Sequence, residues 1–216
     1  MKLYFKNLDN NIIPKIIHQT APANKSKWDK IWTECQKSWF EKFPYPEYEY
    51  KMWNDKDLDN FIKNDFPWFY DTYINYDVNI KKIDIARYFI LYKYGGIYAD
   101  MDYMCMKNFY HLLPSNKVSI SESPHIKNEY IQNALMASNI NNPFWIEVIN
   151  ESKNRIKMPI LKSTGPQLLS DVYFLNKNLV HILKKEKFNP SPKSKEKFNS
   201  DIVYAKHFGS CSWCKK

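Results

Sequence analysis

One segment in the first half of the chain joins a helical pattern, a pair of glycines and a short apolar run, and it constrains the fold most. Apolar residues between Ile80 and Tyr94 recur at helical spacing, and Gly95 stands where helices commonly end in a left-handed turn. After Gly96, the run Ile97-Tyr98-Ala99 has the β-branched and aromatic character of a short strand. The segment therefore predicts a helix, a glycine turn and a strand in direct succession.

Acidic residues lie on both sides of this glycine turn. Asp84 and Arg87 are three residues apart and share one face of the predicted helix. Asp100 and Asp102 are two apart at the end of the predicted strand, so their side chains project to the same side. Two neighbouring carboxylates repel each other unless a cation lies between them, and oxygen ligands favour Mg²⁺ or Mn²⁺. We therefore predict a site for a metal and a diphosphate, with these four residues as the catalytic ones.

The chain as a whole bounds the number of domains and the kind of partner. Its 216 residues fit one domain, residues 1–216, and a net charge of +9 favours anionic partners. The first residues lack the apolar core of a signal peptide, and no later run approaches membrane-spanning length. Four scattered cysteines are too few for a secreted disulfide framework. We expect a soluble cytoplasmic protein with at most peripheral membrane contact.

Local patterns along the chain predict an α/β fold with a largely parallel sheet flanked by helices. Such sheets bind ligands at the carboxyl ends of their strands. We predict residues 130–137 as a strand or a short helix, residues 184–200 as a surface loop, and residues 206–216 as a tail that closes over the active site. The other predicted strands are 12–18, 48–53, 97–99, 117–121 and 202–205, and the predicted helices are 28–39, 56–63, 66–74, 80–94, 143–155 and 164–173.

Several motifs together resemble glycosyltransferase family 32, over about residues 12 to 213. The most specific is the Asp-x-x-Arg-Tyr sequence at Asp84, followed at fixed spacing by Gly-Gly-x-Tyr-x-Asp-x-Asp up to Asp102. This family includes fungal mannosyltransferases and bacterial capsule enzymes, and the clostridial glucosylating toxins are similar at a greater distance. The other matching motifs are Ile13 to Gln19, Trp53-Asn54-Asp55, Ser163 to Pro166 and His207 to Trp213.

The resemblance implies a GT-A fold, which is Rossmann-like, and a transferase that retains the anomeric configuration of the sugar. It implies a nucleotide-sugar donor carrying UDP or GDP, a Mn²⁺ or Mg²⁺ cofactor, and a glycan, lipid-linked or protein acceptor. Because the fungal members are membrane-anchored, the missing anchor suggests a bacterial or viral-host cytosol. Carried over to this sequence, the resemblance assigns metal binding to Asp100, Asp102 and His207, sugar hydroxyls to Asp84 and Arg87, and other donor contacts to Ile17, His18, Gln19, Thr20, Trp53, Asn54, Tyr98, Asp100, Ser212 and Trp213.

Some of these residues have a plainer interpretation. His18 and Trp53 also fit a hydrogen-bonded core, and Thr164-Gly165-Pro166 fits an ordinary helix start that leaves free N–H groups. Asn133 and Glu122 are weaker candidates for the lining of the sugar or acceptor pocket. The pair Cys211 and Cys214 has redox or zinc spacing, but without a second pair it favours no such role.

Two other functions fit parts of the sequence. A basic nucleic-acid-binding module would use lysines for phosphates and exposed aromatic residues for stacking, yet the aromatic residues here recur at core-like spacing. A metal-dependent phosphodiesterase or nuclease usually needs more carboxylate and histidine ligands than this site offers. We therefore expect a transferase that has no nucleic-acid partner.

Overall fold

The computed structural model describes residues 12–124, 130–190 and 201–210, which form eight strands and eight α-helices. The strands are β1 Ile16–Thr20, β2 Glu49–Trp53, β3 Gly96–Ala99, β4 Tyr103–Cys105, β5 Val118–Glu122, β6 Ile131–Ser138, β7 Val180–Leu183 and β8 Ala205–His207. The helices are α1 Lys30–Lys42, α2 Asp55–Asp65, α3 Pro67–Ile74, α4 Asn79–Tyr94, α5 Pro143–Asn154, α6 Ile160–Ser163, α7 Pro166–Leu175 and α8 Lys185–Phe188.

Six strands form the central sheet, in the order β2-β1-β3-β6-β5-β7. β1 pairs in parallel with both β2 and β3, and β5 pairs in parallel with β7. β6 lies antiparallel between β3 and β5. The carboxyl ends of β1, β2 and β3 therefore share one edge with the beginning of β6, and the predicted α/β fold with a mostly parallel sheet is confirmed.

Helices cover one face of this sheet, and a smaller layer covers the other. Alternate residues of β3 show the division, because Tyr98 packs in the cluster built by α2 to α5 and α7, whereas Ile97 packs with α1 and α8. The second layer includes a two-stranded antiparallel sheet of β4 and β8, in which Tyr103 lies opposite His207. This pairing brings the end of the described chain back to the segment after β3.

The helix boundaries follow from local chemistry. The Asn54 side chain accepts from the backbone N–H groups of Lys56 and Asp57, and the Asp57 carboxylate accepts from the Asn54 N–H. Helix α2 therefore begins with a capping box. Proline occupies the first turn of α3, α5 and α7, where no intrahelical N–H is needed. Helix α4 ends at Gly95, which has a φ of 60°, and strand β3 begins at the next residue.

The structure corrects several predicted boundaries. The first strand is Ile16–Thr20 and not 12–18, and the last is Ala205–His207 and not 202–205. Residues 131–138 are a strand, which settles the choice left open there. The region predicted as a loop over 184–200 contains helix α8, because Lys184 to Phe188 close a helical turn, while residues 191–200 lie outside the described residues. Strand β7 was not predicted.

Candidate active site

Arg87 joins the helix carboxylate to the strand carboxylate. Its Nη2 lies 3.0 Å from Asp84 Oδ1, and its Nη1 lies 3.0 Å from Asp100 Oδ1. Nη1 also donates to the backbone O of Asn133 at 2.9 Å. Burial would lower the pKa of Arg87, but the charges of Asp100 and Asp84 raise it, so the guanidinium remains charged. Its Nε–H is buried without a hydrogen-bond partner in the described part of the chain.

Asp100 is held at the end of β3 by its side chain and its backbone. Its Oδ1 accepts from the Tyr98 hydroxyl at 2.8 Å, and Tyr98 in turn lies 2.8 Å from Thr20 Oγ1. Its backbone N–H donates to Ala134 O at 2.9 Å, which ties it to β6. Burial raises the pKa of Asp100, Arg87 opposes that shift, and the charge of Asp102 adds to it. A cation between the two carboxylates would relieve their mutual repulsion.

Asp102 faces the end of the described chain. Its Oδ1 lies 3.2 Å from His207 Nε2, while its Oδ2 accepts from the Ser210 N–H at 2.7 Å and the Ser210 hydroxyl at 2.9 Å. Burial would raise the pKa of Asp102, but these bonds outweigh it and lower the pKa to about 2. For His207 burial alone would lower the pKa, but the carboxylate of Asp102 outweighs this effect and raises the pKa. Asp102 is therefore ionised at neutral pH.

Three side chains converge on a position suited to a divalent cation. One ligand atom each from Asp100, Asp102 and His207 lies within 4.8 Å of the other two. Two carboxylates and one imidazole form a donor set that suits Mn²⁺, because Mg²⁺ prefers an all-oxygen octahedron. The residues present therefore fit the predicted metal, and the metal-binding roles of these three residues remain predictions.

Asp84 lies in the protein interior, one helical turn before Arg87. Burial raises its pKa to about 6, although the charge of Arg87 opposes the shift. Asn133 and Thr164 also donate hydrogen bonds to its carboxylate. Asn133 was expected to line a pocket, and the structure places its amide against Asp84. Glu122, the other weak candidate, accepts from the backbone N–H of Lys185 at 3.2 Å.

Two of the residues that were predicted to contact the donor, His18 and Trp53, lie in the protein interior. His18 is fully buried, its Nδ1 accepts from Trp53 Nε1 at 3.2 Å, and its Nε2 lies 3.1 Å from Gly95 O. Both ring nitrogens are thus used inside the protein, and Trp53, 4% exposed, belongs to the core as well. Burial lowers the pKa of His18 to about 3, so the ring is neutral. These internal bonds agree with the plainer interpretation of the two residues, and their contact with the donor remains a prediction.

The other predicted donor contacts on β1 and at the start of α2 also have internal partners. Ile17 is a buried core residue, because both faces of β1 are covered. The Gln19 side chain accepts from the Tyr50 hydroxyl through Oε1 and donates from Nε2 to Asp100 O at 3.4 Å. It therefore supports the backbone of Asp100. Asn54 caps α2. Thr20 reaches the carboxylate of Asp100 indirectly, through the Tyr98 hydroxyl.

Replacing His18 by glutamine tests its interior position through pH. The pKa of His18 is about 3 in the folded protein and 6.5 when unperturbed, so the unfolded state takes up the proton first as the pH falls. The stability contributed by neutral His18 is therefore lost between these two values. We expect the difference in unfolding free energy between wild type and His18→Gln to shrink by about 2 kcal/mol from pH 7 to pH 5. Urea denaturation at both pH values measures it.

The control for this experiment is His111→Gln, which changes an exposed histidine. The change in its difference from wild type between pH 7 and pH 5 is the baseline with which the change for His18→Gln is compared. A constant difference for His18→Gln would show that the pKa of His18 is the same in the folded and the unfolded protein.

Part of the predicted tail falls outside the described residues. This applies to Ser212 and Trp213, and to the cysteine pair at Cys211 and Cys214. The described part of the tail supplies Ser210, which sequence reasoning missed. The only local signal was the Ser-x-Ser-Trp pattern, which does not show which serine turns towards Asp102.

Comparison with known proteins decides the family. The sequence model of a family described as a glycosyltransferase sugar-binding region containing a DXD motif matches residues 29–120, which include Asp84, Arg87, Asp100 and Asp102. An inositol phosphoceramide mannosyltransferase of Schizosaccharomyces pombe is 36% identical over 167 residues, 74% of this chain and 45% of that protein. The chain belongs to this DXD glycosyltransferase family. The predicted family and the predicted enzyme class are thereby confirmed.

A second relative of this DXD glycosyltransferase is also named for a mannose-containing or mannose-accepting inositol lipid. A mannosyl phosphorylinositol ceramide synthase of Saccharomyces cerevisiae is 37% identical over 170 residues, 75% of this chain and 43% of that protein. The chain thus spans less than half the length of these two relatives. A viral relative, an uncharacterized glycosyltransferase of Acanthamoeba polyphaga mimivirus, is 38% identical over 100 residues, 45% of this chain and 38% of that protein.

Solved structures of glycosyltransferases share the fold of this DXD glycosyltransferase. The PaToxG glycosyltransferase superposes with a TM-score of 0.58 at 17% identity, covering 76% of this chain and 70% of that one. A glycosyltransferase involved in glycosylation of the major capsid of PBCV-1 gives a TM-score of 0.53 at 10% identity, with 93% and 96% covered. These similarities confirm the predicted GT-A fold.

The relatives contradict the predicted cytoplasmic location. The first relatives of this DXD glycosyltransferase are named for inositol phosphoceramide or for mannosyl phosphorylinositol ceramide, which are membrane lipids. The prediction rested on the lack of an apolar leader or a membrane-spanning run in these residues, and such a lack does not decide location. In the part of the chain that the structure describes, no helix has the length and apolar character required to cross a bilayer.

Proposed function

We propose that the chain is a metal-dependent, retaining glycosyltransferase that moves a hexose from a nucleoside diphosphate sugar to an acceptor hydroxyl. The observation that carries this proposal is the convergence of Asp100, Asp102 and His207 beside the Arg87 network. A divalent cation held there would act as a Lewis acid for the negative charge that develops on the leaving diphosphate. Asp100 and Asp102 supply the charge that such a cation requires.

The chain's own residues support the sugar side of this reaction. Arg87 is charged, buried and fixed by Asp84, Asp100 and the Asn133 carbonyl, so its position does not depend on the ligand. Preorganised donors of this kind stabilise developing charge without reorganisation. Asp84 then remains to accept a hydrogen bond from a hydroxyl of the donor hexose.

Retention is supported by the state of the carboxylates near the site. Asp84 already accepts bonds from Arg87, Asn133 and Thr164, while Asp100 and Asp102 face the proposed cation. A covalent double displacement needs a carboxylate that is free to attack the anomeric carbon. We therefore propose that the acceptor hydroxyl attacks from the same face from which the diphosphate departs.

The names of the relatives support a choice of sugar and acceptor. Several are named as mannosyltransferases, and the first ones are named for inositol phosphoceramide or for mannosyl phosphorylinositol ceramide. We propose mannose, carried by GDP or UDP, as the donor sugar. We propose a lipid-linked hydroxyl, with inositol phosphoceramide as the first choice, as the acceptor.

A screen of sugar donors tests the proposed function. The purified protein is incubated with GDP-mannose and with UDP-glucose, UDP-galactose and UDP-N-acetylglucosamine, in Mn²⁺, in Mg²⁺ and in EDTA, and nucleotide release is measured. We expect slow hydrolysis of one donor, faster in Mn²⁺ than in Mg²⁺ and absent in EDTA. Adding inositol phosphoceramide in detergent micelles should turn hydrolysis into transfer, seen as a glycosylated lipid by mass spectrometry. Equal rates in Mn²⁺ and in EDTA would contradict a metal-dependent enzyme.

A further inference from the structure

The carboxylate of Asp84 is held by donors from three separate parts of the chain. Its Oδ1 lies 3.0 Å from Arg87 Nη2 and accepts from Asn133 Nδ2 at 3.0 Å. Its Oδ2 accepts from Thr164 Oγ1 at 3.3 Å. Arg87 lies on α4 with Asp84, Asn133 lies on β6, and Thr164 lies between α6 and α7. Asp84 therefore has an orientation that helix α4 alone does not determine.

Thr164 is itself fixed by a second contact to the same helix. The Tyr88 hydroxyl donates to Thr164 O at 2.8 Å, and Asn133 Nδ2 lies 3.3 Å from that hydroxyl. Thr164 and Tyr88 are both fully buried. At the next residue, Gly165, an added Cβ would lie 3.0 Å from the Cα of Leu161, so the turn that carries Thr164 is packed tightly against α6. The Thr164 hydroxyl thus has little freedom to move away from Asp84.

The number of hydrogen bonds leaves space for one more partner. An ionised carboxylate accepts about four hydrogen bonds, about two on each oxygen. Arg87 and Asn133 fill the two positions on Oδ1, and Thr164 fills one position on Oδ2. One position on Oδ2 remains, and its direction depends on where the Thr164 hydroxyl lies.

We propose that Thr164 is a positioning residue, whose hydroxyl orients Asp84 so that the remaining position on Oδ2 accepts one hydroxyl of the donor hexose. This inference rests on the proposed function, because it takes Asp84 as a contact of the sugar. Thr164 contacts Asp84 and not the reacting atoms. Without its hydroxyl, both positions on Oδ2 are open and the carboxylate can rotate, so the sugar hydroxyl loses a fixed partner.

Three variants test this role. Thr164→Val replaces the hydroxyl with a methyl group of similar size, and Thr164→Ser keeps the hydroxyl. Ser163→Ala is the matched control, because the neighbouring Ser163 hydroxyl is also buried but makes no hydrogen bond to the described residues. We expect Thr164→Val to lower kcat/KM for the donor about tenfold or more. Thr164→Ser and Ser163→Ala should stay within about threefold of wild type, below the loss of one hydrogen bond to a charged group.

Two further measurements separate positioning from loss of structure. Binding of the nucleoside diphosphate with Mn²⁺, measured by calorimetry, should be unchanged in Thr164→Val, because Asp84 is not among the proposed metal ligands. Monodeoxy forms of the active donor sugar then identify the contacting hydroxyl. For one of them, the loss of kcat/KM in Thr164→Val should disappear, because the sugar hydroxyl that donates to Asp84 is already missing.

The possible results are distinguishable. Equal losses in Thr164→Val and Thr164→Ser, an equal loss in Ser163→Ala, or the same Thr164→Val penalty with every deoxy donor would each overturn the positioning role. Unaltered donor turnover by Thr164→Val would overturn it as well. If the wild-type protein neither binds a nucleoside diphosphate with Mn²⁺ nor turns over any donor, the proposed function fails first.

Discussion

Replacing Asp102 by asparagine should lower donor turnover by about a thousandfold while the protein remains folded. The pKa of Asp102 is lowered to about 2, so at neutral pH the side chain supplies a full negative charge to the proposed cation site. Asparagine has nearly the same shape and still accepts a bond from the Ser210 N–H, but it carries no charge. The variant should also lose most of the Mn²⁺-dependent binding of the nucleoside diphosphate. Donor hydrolysis and calorimetry measure the two effects.

The control for this experiment is Asp71→Asn, which removes a charge from an exposed position on α3. It should turn over the donor at the wild-type rate, because surface charges away from the site contribute little. Asp102→Asn should unfold at a lower temperature than wild type but remain folded at the assay temperature, because the bonds from His207 and Ser210 favour the charged carboxylate that asparagine lacks. If Asp102→Asn kept more than a fifth of the wild-type rate, Asp102 would not hold a catalytic metal.

Helix α4, the glycine turn and strand β3 could be predicted from sequence because each depends on local chemistry. The helical spacing of its apolar residues predicted α4, although every residue from Asp84 to Leu91 is buried, and the positive φ values of Gly95 and Gly96, 60° and 87°, are typical of glycine. The carboxylate pair follows the strand directly, so its location was predictable too. Short-range rules therefore placed Asp84, Arg87, Asp100 and Asp102 in one region.

The contacts that complete the site come from distant parts of the chain, and sequence patterns gave little sign of them. Sheet β4–β8 pairs two three-residue strands across about one hundred residues, and strands that short carry almost no periodic signal. Thr164 reaches Asp84 across 80 positions. Local chemistry predicts a helix start at Thr164, but it does not indicate the side chain that its hydroxyl meets.

The direction of side chains on β1 was unpredictable for a different reason. A strand buried on both faces shows no alternation between polar and apolar residues. His18 and Gln19 are both fully buried, one against Trp53 and the other against Tyr50. Polar residues at the carboxyl end of a strand suggested ligand contacts, yet here most of them hold the sheet and its neighbours in place.

Replacing Gly96 by alanine should be the most destabilising small substitution at the site. Gly96 has a φ of 87°, and an added Cβ would lie 2.5 Å from the backbone O of Ile16. The positive φ alone costs an L residue roughly 1–2 kcal/mol. Because Ile16 belongs to β1, the clash can be relieved only if β1 and β3 move apart, which would break their parallel pairing. We expect a total loss above about 4 kcal/mol and a melting temperature lower by about 10 °C or more.

Gly209→Ala separates the clash from the backbone strain. Gly209 has a φ of 58°, but among the described residues no atom beyond its own chain neighbours lies within 4 Å of an added Cβ, so this variant should lose only about 1–2 kcal/mol. Thermal and urea unfolding of both variants, followed by circular dichroism, give the comparison. Similar losses in the two proteins would mean that strain, and not contact with β1, limits position 96. A much larger loss in Gly96→Ala would show that close approach of β1 and β3 fixes the strand end from which Asp100 and Asp102 emerge.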